Sequence, residues 1–298
     1  MANTVIYNKH DYVTKLRERL ARPTSWKDIM DVRYSDSRTI VNAILDTEPA
    51  VQSGTRGTAY SFQDFTLTAD TLTISTYREL PIFIDEADRS QQAYFGGPDI
   101  AEFQGDKIDE FIESEVLAQH ASWRNFGVGD LNNTSSNDAS TITVTAANID
   151  DLIRAVKRKI RANNGSKLAR KYGYFFVWRA ADLELLEGFM QANGFSEADV
   201  ALKNGISDAF SYMGADHYLS NDHTANHLFA GVKKVGKTLG ILRGTYGKVK
   251  FIEDPAGSTN NNLSGLGIHS RIDYGFSFPT GGPTGQNIID MGVDVNVA

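Results

Sequence analysis

The sequence predicts a mixed fold of helices and strands in which one strand is longer than the chain's own core can use. Three observations carry this. From Thr71 the chain reads TLTISTYRELPIFIDE, with Leu72, Ile74, Leu80, Ile82 and Ile84 on even positions and polar residues mostly between them. That period-2 pattern covers about 14 residues and spans roughly 45 Å at ~3.3 Å per residue. Strands ordinarily run about five or six residues, so part of this one is expected to project towards a neighbour. Second, Ile100, Phe103, Ile108, Phe111, Ile112 and Val116 recur at helical spacing towards Trp123, which marks a long acidic helix. Third, a helix–strand–helix series covers residues 148–192, and the last segment alternates through Ile289, Met291, Val293, Val295 and Val297.

The elements follow in order. Residues 1–50 read as an arm with one short helix at about Asp11–Ala21, stopped by Pro23. Val5, Tyr12, Leu16 and Leu20 give that helix an apolar stripe. SGTRGT at 53–58 is a flexible entry to a ribbon whose first strand holds Tyr60 and Phe62, then Phe65 and Leu67 one position out of phase. A bulge near Asp64 accounts for the slip, and a turn is expected at Thr68–Thr71. A two-stranded ribbon is marginal alone in water and needs another surface to lie on. Asp99, after Gly96-Gly97-Pro98, is expected to cap the long helix. Thr141–Val144 reads as a short strand, Asn148–Asn163 as a second amphipathic helix, Tyr174–Trp178 as a buried strand and Ala180–Ala192 as a further helix. Beyond residue 200 the chain is glycine-rich with short strands, and 257–267 reads as a loop.

Composition bounds the function. The 298 residues are 41% hydrophobic and 22% charged, the balance of an ordinary globular protein. No apolar run approaches the ~20 residues of a membrane span, and MANTVIYNKHDYVTKLRERL lacks the apolar core of a secretory signal. Cysteine is absent, which excludes disulfides, thiolate metal sites and a cysteine nucleophile and fits a reducing interior. A net charge of −7 argues against binding driven by general phosphate neutralisation. Charge is nonetheless segregated: residues 85–115 hold ten acids against two bases, and 154–179 hold nine bases and no acid. These stretches read either as solvated helix faces or as complementary patches that steer like subunits together, with Glu102, Asp109 and Glu113 facing Arg154, Lys157, Arg158 and Arg161. The basic run could also meet nucleic acid, though it lacks interleaved stacking aromatics.

Two motifs are set aside. Gly231–Thr238 (GVKKVGKT) matches the phosphate-loop pattern letter for letter. Such a loop needs a helix directly after it, and LGILRGTYGKVKF, with Gly240, Gly244 and Gly247, reads as strand and turn. His217, His223 and His227, with Asp216 and Asp222 nearby, read as polar loop residues, since 221–226 is a poor helix for an i, i+4 metal pair. No Ser/His/Asp arrangement stands out, so neither an enzyme nor a cofactor or metal site is expected.

The stretch from Thr71 through Ala121 resembles the major capsid proteins of tailed phages, those with the Hong Kong 97 fold. The likeness lies in TLTISTYRELPIFIDEADRSQ at 71–91 leading into the long helix, in NIDDLIRAVKRKIRAN, YGYFFVW and the helix after it, and in GADHYLSND at 214–222. The resemblance implies an α+β fold: an N-terminal arm at 1–51, an extended β-hairpin loop at 52–82, and a peripheral domain at 83–147 with its spine helix at 99–123. An axial domain at 148–280 and a returning strand at 281–298 complete it. It implies a structural protein that self-assembles as pentamers and hexamers into an icosahedral head around double-stranded DNA. It further implies a portal protein, separate scaffolding or decoration proteins, assembly in the host cytoplasm and a final place in the virion. The ribbon contacts to a neighbour would be Phe62, Phe65, Leu72, Ile74 and Tyr77. An encapsulin-like cargo shell shares the fold and stands as the alternative, with a phosphate-loop NTPase behind it.

Two departures from the family sharpen the expectation. Some members carry a cleaved scaffolding segment of about a hundred residues upstream of the extended loop, for which the residues before 52 leave no room, so no processing of this chain is expected. The type member cross-links a lysine of this loop to a neighbour's asparagine. No lysine lies between Lys27 and Lys107 here, so the shell is expected to be non-covalent.

Overall fold

A computed structural model describes residues 24–45, 51–57, 59, 62–64, 67–86, 97–163, 165–193, 209–223, 226–253, 264–278 and 291–298. The expected helix at 11–21, Phe65 and most of the loop at 257–267 lie outside them.

In chain order the elements begin with α1 (Trp26–Ile29), β1 (Asp31–Ser35), β2 (Thr39–Leu45), β3 (Leu67–Thr73) and β4 (Thr76–Asp85). Helix α2 (Gly97–Ala118) runs into a 3-10 turn at Gln119–Ser122, followed by β5 (Arg124–Phe126) and α3 (Val128–Leu131). Then come α4 (Ile149–Ala162), α5 (Ser166–Tyr172), β6 (Tyr174–Trp178) and α6 (Ala180–Ala192). Strands β7 (Ala209–Tyr212), β8 (Ala215–Leu219), β9 (His227–Val232), β10 (Thr238–Leu242), β11 (Val249–Glu253), β12 (Gly265–Ser277) and β13 (Gly292–Asn296) complete the order.

Two layers of core hold the body together. A six-stranded sheet, β5-β13-β9-β6-β8-β7, is buried on both faces. Tyr174, Phe176 and Trp178 of β6 point into one core with Ile149, Ile153, Val156 and Ile160 of α4 and Leu183 and Leu186 of α6. Phe175 and Val177 point into the other, with Trp26 and Ile29 of α1, Ile112 and Val116 of α2, and Leu239, Ile241 and Ile272 of the second sheet. Burial on both faces is why YFFVW is an unbroken apolar run rather than an alternating one. The last strand shows the opposite case. Val293, Val295 and Val297 enter the first core, while Gly292, Asp294 and Asn296 occupy the other phase.

The second sheet is built around β12, whose 13 residues pair with β4 along one edge and with β11 and then β10 along the other; β1 adds to β10 in parallel. The long period-2 stretch is therefore two strands. The chain leaves β3 at Thr73, Ile74 donates its N–H to the Arg38 carbonyl at 2.7 Å, and β4 begins at Thr76 in a different sheet. The even-side phase survives the break, because Leu72 and Ile74 are buried and Leu80, Ile82 and Ile84 are half-buried. A continuous alternation in sequence thus hides a switch between sheets.

The ribbon also differs from expectation. The first half of the stretch pairs with β2, from Thr39↔Thr73 to Leu45↔Leu67, a segment that the sequence reading had assigned to the arm. Residues 62–64 form no strand, and Thr68–Thr71, expected as a turn, lies in the middle of β3. Asp99 lies inside the first turn of α2 rather than ahead of it, so it is not the cap. Thr141–Val144 contributes a single bridge, Ile142 to Val297. The helices at 149–162 and 180–192 fall where periodicity placed them.

Candidate assembly surface

The two-stranded ribbon β2–β3 stands on the second sheet at two glycines. Gly240 of β10 and Gly275 of β12 are register partners, and neither has a side chain to hold the ribbon off. A Cβ on Gly240 would sit 2.5 Å from Leu72 Cδ2 and 3.2 Å from Ile40 Cδ1, and one on Gly275 would sit 2.2 Å from the Thr73 carbonyl oxygen. The bare backbone lets Ile40, Leu72 and Ile74 pack down as one patch. The Ser277 hydroxyl donates to Asp70 Oδ2 at 2.7 Å beside it, and Arg33 donates to Asn42.

The opposite face of the ribbon is apolar and open. Val41 is 63% exposed and Leu67 60%, with Ala43 and Ala69, paired across the strands, exposed between them. Phe62, in the connection, is 89% exposed. A small ribbon carrying such a face in water is the kind of surface that another protein covers.

Of the expected contact residues, Phe62 and Tyr77 are exposed. Leu72 and Ile74 are buried within the chain itself, at 1% and 2% exposure, so they anchor the ribbon to its own body and cannot face a neighbour. On the described ribbon, the apolar residues left exposed are Val41, Ala43, Leu67 and Ala69. Sequence reasoning missed Val41 and Ala43 because TIVNAIL carries no period-2 alternation that would set it apart from the arm. Tyr77 lies on β4, where the Arg271 guanidinium sits 5.1 Å from its ring.

Part of each charged stretch turns inward. Glu113 is buried, and its carboxylate accepts the Ser25 N–H at 3.0 Å, the Ser25 hydroxyl at 2.8 Å and the Trp26 N–H at 2.9 Å. It thereby serves the free N–H groups at the start of α1. Burial pushes this carboxyl up, against the pull of those hydrogen bonds. Asp109 pairs with Lys27 at 2.5 Å and accepts the Tyr246 hydroxyl at 2.5 Å. Gln104 donates to the carbonyls of Leu80 and Ile268 and accepts from Ser270. Helix α2 thus uses its polar side to pin α1, β4 and β12, and of the three acids only Glu102 is exposed.

The basic stretch is mostly exposed, with Lys157 the exception. Lys157 is buried and donates to the Met213 carbonyl, and burial lowers its pKa to about 8. Arg154 pairs with Asp150 and Asp151 on its own helix, and Arg158 donates to the carbonyls of Asp130 and Leu131. Arg161, Lys167, Arg170 and Lys171 are exposed. A face-to-face patch of all seven residues is not available: Glu113 and Lys157 face the interior because each meets buried partners there.

The phosphate-loop reading falls on geometry. Gly231 lies within β9 and Thr238 opens strand β10, so a strand stands where the loop would need a helix. Lys237 points into the core, its Nζ 4.3 Å from the Trp123 ring centroid and 4.2 Å from that of Phe175. Burial holds its pKa well below the usual lysine value.

Of the three histidines, only His223 lies in a loop, and its ring nitrogens are buried there. His217 is fully buried on β8, accepts the Trp178 indole N–H at Nδ1 (2.8 Å) and lies 3.1 Å from the Tyr212 carbonyl at Nε2. A neutral ring protonated at Nε2 satisfies both contacts, and burial lowers its pKa to about 4. His223 stacks on Phe229 and is lowered to about 4 by burial. His227 opens β9 and meets Asp294.

No family model and no curated protein matches the chain. Solved structures do. A chain from Mycobacterium phage Che8 superposes with a TM-score of 0.67 at 14% identity, covering 99% of this chain and 98% of that one. A chain from the capsid of Ralstonia phage GP4 gives 0.62 at 8% identity, covering 100% and 98%. One from the capsid structure of cyanophage P-SCSP1u gives 0.61 at 11%, covering 98% and 93%. From one end to the other, this chain has the fold found in phage capsids.

Proposed function

We propose that this chain is a major capsid protein of the Hong Kong 97 class, a structural protein that builds an icosahedral shell around packaged double-stranded DNA. The fold likeness over nearly the whole length of both chains carries the reading. The sequence resemblance, drawn from different evidence, supports the same class. In this reading α2 is the spine helix and the α4–α6 layer with its sheet belongs to the axial domain. The extended loop is β2, β3 and the connection between them rather than 52–82.

The mechanism is lattice closure by non-covalent burial. Each ribbon lays Val41, Ala43, Leu67, Ala69 and Phe62 on an adjacent copy, in pentamers and hexamers alike, while the glycine seat fixes its angle of departure. Apolar burial of this kind contributes roughly 25 cal/mol per Å², and a shell repeats it at every contact. The exposed bases near 161–171 supply a surface for DNA without sequence preference. A portal and separate scaffolding or decoration proteins would complete the head, with assembly in the host cytoplasm.

Negative-stain microscopy of the expressed full chain tests the reading. Shells, tubes or capsomers support it, and a monodisperse monomer under every assembly condition overturns it. Nuclease-protected DNA inside particles recovered from infected cells separates a viral head from a cargo compartment.

A further inference from the structure

Three side chains from distant parts of the chain converge where the spine helix ends. His120 lies in the 3-10 turn after α2, His227 opens β9, and Asp294 sits on β13. His227 pairs in register with Asn296 and Phe229 with Asp294, so His227 and Asp294 are diagonal neighbours on one face of the sheet. His227 Nδ1 lies 2.9 Å from Asp294 Oδ1, and His120 Nδ1 lies 3.4 Å from Asp294 Oδ2. The two imidazole rings stack with centroids 4.1 Å apart and 30° between their planes. All three donor atoms fall within 4.8 Å of one another.

The Asp294 carboxylate is 2% exposed, and no arginine or lysine pairs with it among the described residues. Its partners are the two imidazoles, which carry charge only when protonated. A single divalent ion is an alternative partner for the carboxylate. It supplies the positive charge while both rings stay neutral, each giving its Nδ1 lone pair.

We propose that His120, His227 and Asp294 form a zinc-class metal site that ties the C-terminal strand to the end of the spine helix. Two imidazoles and a carboxylate suit zinc, whereas calcium and magnesium take mainly oxygen ligands. Zinc bonds of ~2.0 Å in a tetrahedron place neighbouring donors about 3.3 Å apart. The two oxygens of Asp294 lie 2.9 and 3.4 Å from the imidazole nitrogens, near that spacing. Both histidines are partly exposed, which leaves a water-accessible fourth position. The role is structural. The ion would link the turn after α2 to β9 and β13, which already pair with each other in one sheet.

The test uses the full-length chain with any purification tag removed, stripped by chelator and titrated with Zn²⁺ alone. One ion per chain is expected, with a rise in thermal midpoint over the stripped protein, and Co²⁺ should give the visible absorption of a four-coordinate site. His120→Ala, on the partly exposed turn, should leave the stripped protein folded and weaken Zn²⁺ binding about 100-fold or more, at least the loss seen when an outer-shell partner is removed. His269→Ala, at a histidine of β12 outside the cluster, should bind as the parent does. His227→Gln gives a second reading of the same loss. Absence of a Zn²⁺-dependent rise, or undiminished binding in His120→Ala, overturns the site.

Discussion

Gly240 and Gly275 face each other across β10 and β12, and the Thr73 carbonyl and the Leu72 side chain occupy the space that their Cβ atoms would take. Neither glycine is in the left-handed region; each is present because another part of the chain lies against its backbone. The direction in which the ribbon leaves the body is set here.

Gly275→Ala should therefore lift the base of the ribbon. Its Cβ would meet backbone at 2.2 Å, which cannot rotate away, so the cost is about 1–3 kcal/mol, typical of overpacking. Denaturant unfolding of the unassembled chain measures it, and assembly yield should fall further than stability alone explains. Leu72→Ala at the same seat should cost about 2–5 kcal/mol as a buried truncation.

Val41→Asp and Leu67→Asp separate assembly from folding. Both residues are more than half exposed, so each change should alter stability by no more than about 0.5 kcal/mol. Sedimentation of the same preparations should show capsomers or shells lost. Retention of normal particles by both variants would remove the ribbon's open face from the assembly mechanism.

Acid should unfold the body through buried histidines. His217 and His223 have pKa values near 4 in the fold, against 6.5 when free. The unfolded chain binds their protons first as pH falls, so their contribution is complete above about 6.5 and is lost on descent towards 4. Each is worth on the order of 3 kcal/mol at most. Unfolding curves between pH 7 and 4 should show this fall, and His217→Gln should flatten part of it.

Lys237→Met should stabilise the chain. The ammonium is buried over two aromatic rings, and burial is the cause of its lowered pKa. The parent should gain stability as pH rises towards 10.5, where the unfolded lysine also loses its proton, and the variant should lack that part of the gain. Thermal midpoints across this range decide it. A phosphate-binding lysine would instead show nucleotide-dependent stabilisation, lost on substitution.

No covalent ladder is expected on denaturing gels of assembled particles, since the described ribbon and its connection carry no lysine. Boiled shells should run as a single band. A series of oligomers would require a cross-link from elsewhere in the chain.

Local patterns determined much of this protein. Periodicity located α2, α4, α6, β6 and the last strand, because each buries a face whose spacing is written in consecutive residues. The fold class followed from the order of those patterns. Partners were beyond that reach. The even-position alternation from Leu72 to Ile84 is identical whether it forms one strand or two, and only the pairing of β3 with β2 and β4 with β12 divides it. Asp294 alternates with valines in the last segment, and nothing near it in sequence indicates His120 or His227. Likewise Glu113 and Lys157 looked like surface charges until Ser25 and Met213 arrived from far along the chain. Side-chain burial and charge pairing depend on contacts between segments distant in sequence, and those contacts are decided by the tertiary fold.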